Sequence, residues 1–144
     1  MKTFRPLLLV AALVVGFLLV PSSAAANVVL GSKAFAPNGA GWGTAHPKSI
    51  FNGGDPSGSV RNIHWKHWGE PVSIAHGLNP IFKPGGGYYS RPGRIKLRAD
   101  RITQNCNGHR AYSRLMARFP KYPGGALGPW QLWAGASTLC GGIV

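Results

Sequence analysis

Glycine and proline recur along most of this chain, and their density constrains its fold more than any other feature. The 144 residues include 21 Gly and 12 Pro, and of the glycines only Gly16 precedes residue 27. Both residue types interrupt helices, glycine because it loses most backbone freedom and proline because it lacks an N–H. The clusters at 36–43, 52–58 and 80–87 therefore predict turns between short segments, and few long helices.

The N-terminus has the layout of a removable export signal. Lys2 and Arg5 precede the apolar run 7–20, and small residues follow at 24–26. This order is typical of a Sec-type signal peptide. The run is 14 residues long, whereas a membrane-spanning helix needs about 20. We therefore expect cleavage after Ala26 rather than a retained anchor, and no transmembrane segment after cleavage.

The part of the chain that remains after cleavage is strongly basic. We expect 1–26 to be the signal peptide and 27–144, which is 118 residues long, to form a single secreted domain. Loss of Lys2 and Arg5 leaves 14 of the 16 Lys and Arg against three acids, a formal charge of +11. Those acids are Asp55, Glu70 and Asp100.

Two cysteines, Cys106 and Cys140, are the whole thiol content of the chain. An oxidising, extracellular compartment favours a disulfide between them, and only one pairing is possible. Closing a loop of about 35 residues stabilises a fold by about 3–4 kcal/mol in the chain-entropy model. The bridge also ties down the C-terminal segment.

The clearest strand lies in the second half of the chain. Apolar Ile95, Leu97 and Ala99 alternate with basic Arg94, Lys96 and Arg98, which is the period of a half-buried strand. Asn107-Gly108 then predicts a tight hairpin turn. The returning segment 109–119 fits either a strand or an amphipathic helix, and we favour the strand because the turn and the preceding strand agree with it.

Shorter strands are expected at 28–30 and 130–133, and an antiparallel pair over 59–69 and 72–75. Strict alternation in 59–69 would place Ile63 and Trp65 on one face and Val60 and Trp68 on the other. The count of five to seven short strands predicts an all-β fold, a small antiparallel sandwich or barrel with one disulfide.

Six basic residues form the candidate binding face. One row comes from the strand and a second, of the same parity, from the returning segment: Arg94, Lys96, Arg98, Arg110, Arg114 and Arg118. A patch of one sign concentrates anionic partners near the surface, and salt weakens it. Tyr88, Tyr89, Tyr112, Trp130 and Trp133 lie in the same half of the chain and suit nucleic-acid or sugar faces. The alternative is that the charge only keeps the protein soluble and the aromatics pack in the core.

Catalytic chemistry has weak support in the sequence. Asp55 lies in a Gly-Asp-Pro-Ser-Gly turn, and Asp100 is placed for a salt link to a neighbouring Arg. His64 and His67 are spaced H-x-x-H, but on a strand they point to opposite faces, and no metal-binding motif accompanies them. We expect no metal site, no cofactor and no catalytic residue.

One segment resembles a known group of proteins. Ile63-His64-Trp65-Lys66-His67-Trp68-Gly69, followed by Ala75-His76-Gly77 and two late cysteines, is similar to small secreted actinobacterial proteins with a W-x-x-W-G core. The similarity spans roughly 45–140. It implies an extracellular compartment and a β fold, and it carries over no catalytic residue.

These observations favour a secreted or cell-wall-associated bacterial protein without enzymatic activity. The expected partner is an anionic envelope polymer or lipid head group, bound by the basic face. Because an exported chain does not meet intracellular nucleic acid, we do not expect that partner. The alternative is a secreted hydrolase in which His64, His67 or His76 meets Asp55 or Glu70 in a pocket.

Overall fold

One curled sheet of seven strands forms the framework in a computed structural model, which describes residues 27–142 and, before them, Gly16 alone. The strands are β1 (Val29–Leu30), β2 (Ile50–Phe51), β3 (Ser59–Lys66), β4 (Val72–Asn79), β5 (Gly93–Cys106), β6 (His109–Arg118) and β7 (Gln131–Leu132). The helices in the described part are three-residue 3-10 turns at Lys33–Phe35, Pro56–Gly58 and Trp133–Gly135. The prediction of an all-β fold of five to seven strands is confirmed.

The sheet order is β1-β6-β5-β4-β3-β2, with β7 also paired to β6. Strands β3 to β6 form an antiparallel meander, whereas β1 runs parallel to β6. The outer edge of β6 is shared, because β1 pairs with Ala111 and Tyr112 and β7 with Met116 and Ala117. The sheet as a whole curls into a half-barrel around one core.

The alternation predicted for β5 is confirmed. Ile95, Leu97 and Ala99 are each 0% exposed, and they form part of the core. Arg94, Lys96 and Arg98 point to the opposite, outer face of the sheet. Successive side chains of a strand alternate between faces, so every second residue of the neighbouring strands shares this outer surface.

The face assignment predicted for β3 is wrong at Val60. Val60 and Ile63 are both buried, although the strict alternation places them on opposite faces. The cause is a register shift between Arg61 and His64, where Asn62 adopts a left-handed φ of 53°. Such a bulge adds one residue to the strand and reverses the parity beyond it.

Trp68 also departs from the prediction that it lies opposite Trp65. His67, just after β3, has a φ of 60° and turns the chain inward. Trp68 is 8% exposed, its indole N–H donates to the Val28 carbonyl, and its ring lies 4.9 Å from that of Trp65. Both tryptophans of the W-x-x-W-G motif thus pack on the same side of the sheet.

The segment 109–119 forms a strand over His109–Arg118, as favoured. This strand, β6, runs antiparallel to β5 from the Asn107-Gly108 turn. Both turn residues have positive φ, 49° and 85°. This is the backbone geometry of the tight hairpin turns that Asn-Gly prefers.

The predicted disulfide between Cys106 and Cys140 is confirmed. It fastens the C-terminal segment to the end of β5, next to the hairpin turn. Leu139, next to the bridge, is 0% exposed. Its N–H donates to the Ser113 carbonyl and its carbonyl accepts from the Ser32 N–H.

The proposed signal peptide, residues 1–26, lies outside the described residues apart from Gly16, so cleavage stays a prediction. In the part that the structure describes, none of the helices has the length and apolar character required to cross a membrane.

Candidate functional site

Five of the six basic residues expected from the sequence lie on one face of the sheet: Arg94, Lys96, Arg98, Arg114 and Arg118. In the β5–β6 register, Lys96 is directly opposite Arg118 and Asp100 is opposite Arg114. Arg98 lies between these two pairs and faces Met116. Because paired residues of antiparallel strands project to the same side, these residues form one continuous outer surface.

Asp100 neutralises the centre of this surface. Its Oδ2 atom accepts from the Nε of Arg98 at 3.0 Å, and Arg114 forms a two-pronged contact with distances of 2.6 and 2.7 Å. Burial opposes ionisation of Asp100, but the hydrogen bond and charge of Arg114, aided by Arg98, hold its pKa below the ordinary value. This triad is a structural ion-pair network that leaves one net positive charge.

Arg118 is engaged in holding the segment that leads to β7. Its Nε donates to the Gly128 carbonyl at 2.6 Å and its Nη2 to the Leu127 carbonyl at 3.2 Å. The guanidinium also lies 5.8 Å from the centroid of the Trp130 ring, a cation–π contact. Arg110 is half-buried on β6 near the hairpin turn, where its charge acts on Tyr112.

The remaining predicted residues, Arg94 and Lys96, lie beside ionisable side chains of two other strands. The register places Lys96 opposite His76 and His76 opposite His64, so the three form a row across β5, β4 and β3. Lys66 is two residues further along β3 on the same face. We define the basic patch as His64, Lys66, His76, Arg94 and Lys96.

A shallow hollow of about 250 Å³ opens within the basic patch. His64, His76 and Arg94 line it, together with Asn62 and Gly77. The bulge at Asn62 shapes this hollow because it displaces β3 from a regular ladder next to His64.

The surroundings of His76 disfavour a charged imidazole ring. Its Nδ1 atom is buried and has no hydrogen-bond partner in the described structure. Desolvation lowers the pKa of His76, and the charges of Arg94 and Lys96 lower it further. The ring is therefore neutral at neutral pH, and an anion that offsets the two cations would favour its protonation.

The three acids of the chain all contact groups outside the basic patch. Asp55 accepts hydrogen bonds from the Ser57 N–H and hydroxyl, each at 2.9 Å, and from the Tyr88 hydroxyl. The Tyr88 bond, followed by those from Ser57, lowers its pKa, and the turn role predicted for Asp55 is confirmed. Glu70 contacts His67, and Asp100 forms the arginine triad. Its predicted link to a neighbouring Arg is thus confirmed.

The histidine–acid contact expected for the hydrolase alternative forms between exposed side chains. His67 lies 3.2 Å from Glu70, but their side chains are 65% and 62% exposed. His64 and His76 line the hollow, whose described lining contains no acid. Across residues 27–142, no three His, Cys, Asp or Glu side chains form a group able to hold a metal.

The aromatic residues divide between the core and contacts near the surface. Tyr112 and Trp133 are 0% and 2% exposed, and Tyr89 packs against the core. Trp130 lies beneath Arg118 and Tyr88 stacks on Phe82. The core alternative therefore holds for Tyr112 and Trp133.

Sequence reasoning missed the pairing of His64 with His76. The signal was available, because counting back from the turn at Gly69-Glu70-Pro71 places these two residues opposite each other. The inference failed since it considered only the H-x-x-H spacing within one strand, whereas a sheet brings together side chains from neighbouring strands.

Comparison with protein-family models, with curated proteins and with solved structures finds no match to this chain.

Proposed function

We propose that this chain is a secreted, non-enzymatic binding protein that contacts an anionic group of the cell envelope through its basic patch. The observation that carries the proposal is the placement of Arg94 and Lys96 beside His64 and His76, while the acids of the chain are engaged elsewhere. The layout of residues 1–26 and the disulfide support export, and the resemblance to small secreted actinobacterial proteins agrees with it.

The sheet supplies these side chains at a regular spacing. Neighbouring strands lie about 4.8 Å apart, so His64, His76 and Lys96 form a row with roughly that pitch. Arg94 and Lys66 flank the row on either side. Three cations, Lys66, Arg94 and Lys96, thus surround two imidazole rings on a rigid sheet. This arrangement suits the phosphate or carboxylate groups of a polymer or a layer of lipid head groups, and it requires no general base or nucleophile.

The test measures retention of the oxidised protein on phosphatidylglycerol vesicles, on a phosphodiester polymer and on a neutral polymer at increasing salt. The Arg94→Ser/Lys96→Ser variant is expected to bind both anionic supports more weakly, by about 2 kcal/mol or roughly thirtyfold at low salt. Arg98→Ser is expected to change retention less, because Arg98 shares its charge with Asp100.

The matched control is Lys33→Ser/Arg101→Ser, which removes the same charge from two exposed positions outside the basic patch. This control should retain most of the binding. Retention that does not depend on salt, or equal losses in the patch and control variants, would refute the proposal. The difference between the two anionic supports identifies the head group or the polymer as the source of the anion.

A further inference from the structure

A second cavity lies at the end of the half-barrel where β4 and β6 finish. It has a volume of about 690 Å³, within the range of about 300–1,000 Å³ typical of small-molecule sites. Three segments line it: the 80–84 loop that follows β4, residues 119–121 with Trp133 and Ala134, and the turn 52–58. The basic patch residues do not line it, so this groove is a separate site.

The walls of the groove are mainly apolar. Ile81 is buried at the groove, and Phe119 stacks on Trp133 with ring centroids 6.2 Å apart. Phe82 stacks on Tyr88 at 4.3 Å and yet is 51% exposed. A large aromatic ring that is held in place and still open to solvent offers contact area to an apolar ligand.

The uncharged polar side chains of the groove bind the protein itself. The Trp133 indole N–H donates to the Asn52 side-chain oxygen at 3.0 Å. The Asn79 amide donates to the carbonyls of Ser57 and Ser59 at 2.8 and 2.7 Å. These bonds fix the walls, because each ties together segments that are distant in sequence.

The groove is lined by one acid, Asp55, and two bases, Lys83 and Lys121. Asp55 accepts hydrogen bonds from Ser57 and Tyr88, whereas Lys83 and Lys121 are exposed in two of the lining segments. A ligand that is complementary to this lining has an apolar body and one anionic end.

We propose that the groove binds a single-chain anionic amphiphile, an acyl or alkyl chain with a carboxylate or phosphate head. The chain lies along Ile81, Phe82 and Phe119, and the head contacts Lys83 and Lys121. This inference is independent of the proposed function, because it uses other residues and another region of the surface.

The experiment is calorimetric titration of the oxidised protein with decanoate, below the concentration at which it forms micelles. Decyl maltoside and decyltrimethylammonium serve as neutral and cationic chains of equal length, and decyl phosphate distinguishes the two head groups. We expect one bound decanoate per protein, weaker binding of the neutral chain and the weakest binding of the cation. Octanoate should bind about fourfold more weakly for each methylene removed from a buried position.

Two variants separate the head from the chain. Lys83→Ser/Lys121→Ser should weaken decanoate binding about threefold to tenfold and leave decyl maltoside unchanged. Phe82→Ala should weaken the binding of both ligands. Because Phe82 is exposed, this substitution should change the stability of the protein little. Lys33→Ser/Arg101→Ser and Arg94→Ser/Lys96→Ser are the controls, and both should bind decanoate like the unaltered protein.

Several results would overturn this inference. These are equal affinity for the anionic and cationic chains, many ligands bound per protein, no loss in the Lys83→Ser/Lys121→Ser variant, or an equal loss in either control. Because the basic-patch variant is measured with the same ligand, failure here is distinguishable from failure of the envelope-binding proposal.

Discussion

Asp100 determines the role of two of the basic residues predicted to bind a partner. It is 4% exposed and lies between Arg98 and Arg114, so two of the six predicted binding cations serve the fold. Without it, the two guanidinium groups would lie diagonally across adjacent strands without a compensating charge. The charges of the basic patch, which spans β3, β4 and β5, are not part of this triad.

Replacing Asp100 with Asn should destabilise the protein by about 1.5–3 kcal/mol at pH 7, because charged hydrogen bonds to two arginines are lost. The native pKa of Asp100 is lowered, so its stabilising contribution is present above the ordinary aspartate pKa and disappears as the pH falls through the native value. The difference between the two proteins in urea unfolding should therefore shrink below about pH 4.

The matched control for this variant is Glu70→Gln. It removes the same charge from an exposed contact with His67 and should change the free energy of unfolding by less than about 0.5 kcal/mol. Equal effects of the two variants at pH 7 would contradict the assignment of Asp100 as the centre of a structural triad.

At the level of elements, the bulge in β3 and the glycine in β4 depend on each other. The bulge at Asn62 turns both Val60 and Ile63 toward the core. Gly77 lies beneath them on the inner face of β4, and a Cβ atom built there would be 2.4 Å from Cγ1 of Val60 and 3.3 Å from Cγ1 of Ile63. The absence of a side chain at this position makes room for the extra inward residue.

Gly77→Ala should therefore destabilise the protein by about 1–3 kcal/mol, the usual range for adding a methyl group to a filled core. The control is Gly85→Ala in the 80–87 loop, where a Cβ would meet nothing within 4 Å. Thermal and urea unfolding of both variants provide the measurement. If Gly77→Ala is as stable as Gly85→Ala, the close approach of Val60 and Ile63 to Gly77 is wrong.

At the level of the whole molecule, the C-terminal segment joins parts that are far apart in sequence. The Cys106–Cys140 bridge closes a separation of 34 residues. Around it, Leu139 bonds the backbone of Ser32 and Ser113, and the Asn107 side chain donates to the Cys140 carbonyl at 3.1 Å. The segment after β1, strand β6, the hairpin turn and the C-terminal segment are thus joined at one place.

Removing the bridge with Cys106→Ser/Cys140→Ser should lower the free energy of unfolding by about 2–4 kcal/mol, mainly through the freedom gained by the unfolded chain. Urea unfolding of this variant, and of the unaltered protein with and without reductant, measures the effect. Reductant should not change the variant, which controls for reactions elsewhere. An unchanged urea midpoint after complete reduction would show that the segment docks without the bridge.

The sequence by itself determined the features that depend on neighbouring residues. The alternation over 94–99, the Asn107-Gly108 turn and the Gly and Pro clusters specify short strands and tight turns, because backbone preference and face alternation act over a few residues. The cysteines specified the disulfide since only one pairing was possible. The parity of a regular strand also placed Arg114 and Arg118 on the face of Arg94, Lys96 and Arg98, whereas the alternation of β6 breaks at Tyr112.

Only the tertiary structure decided which side chains meet. The bulge at Asn62 reversed the faces of β3, the register paired His64 with His76, and Asp100 was found between two arginines of different strands. The groove likewise combines the 80–84 loop with residues 119–121, about 40 positions further along the chain. Such contacts depend on strand register and chain packing over long separations, and a shift of one residue moves every side chain to the other face.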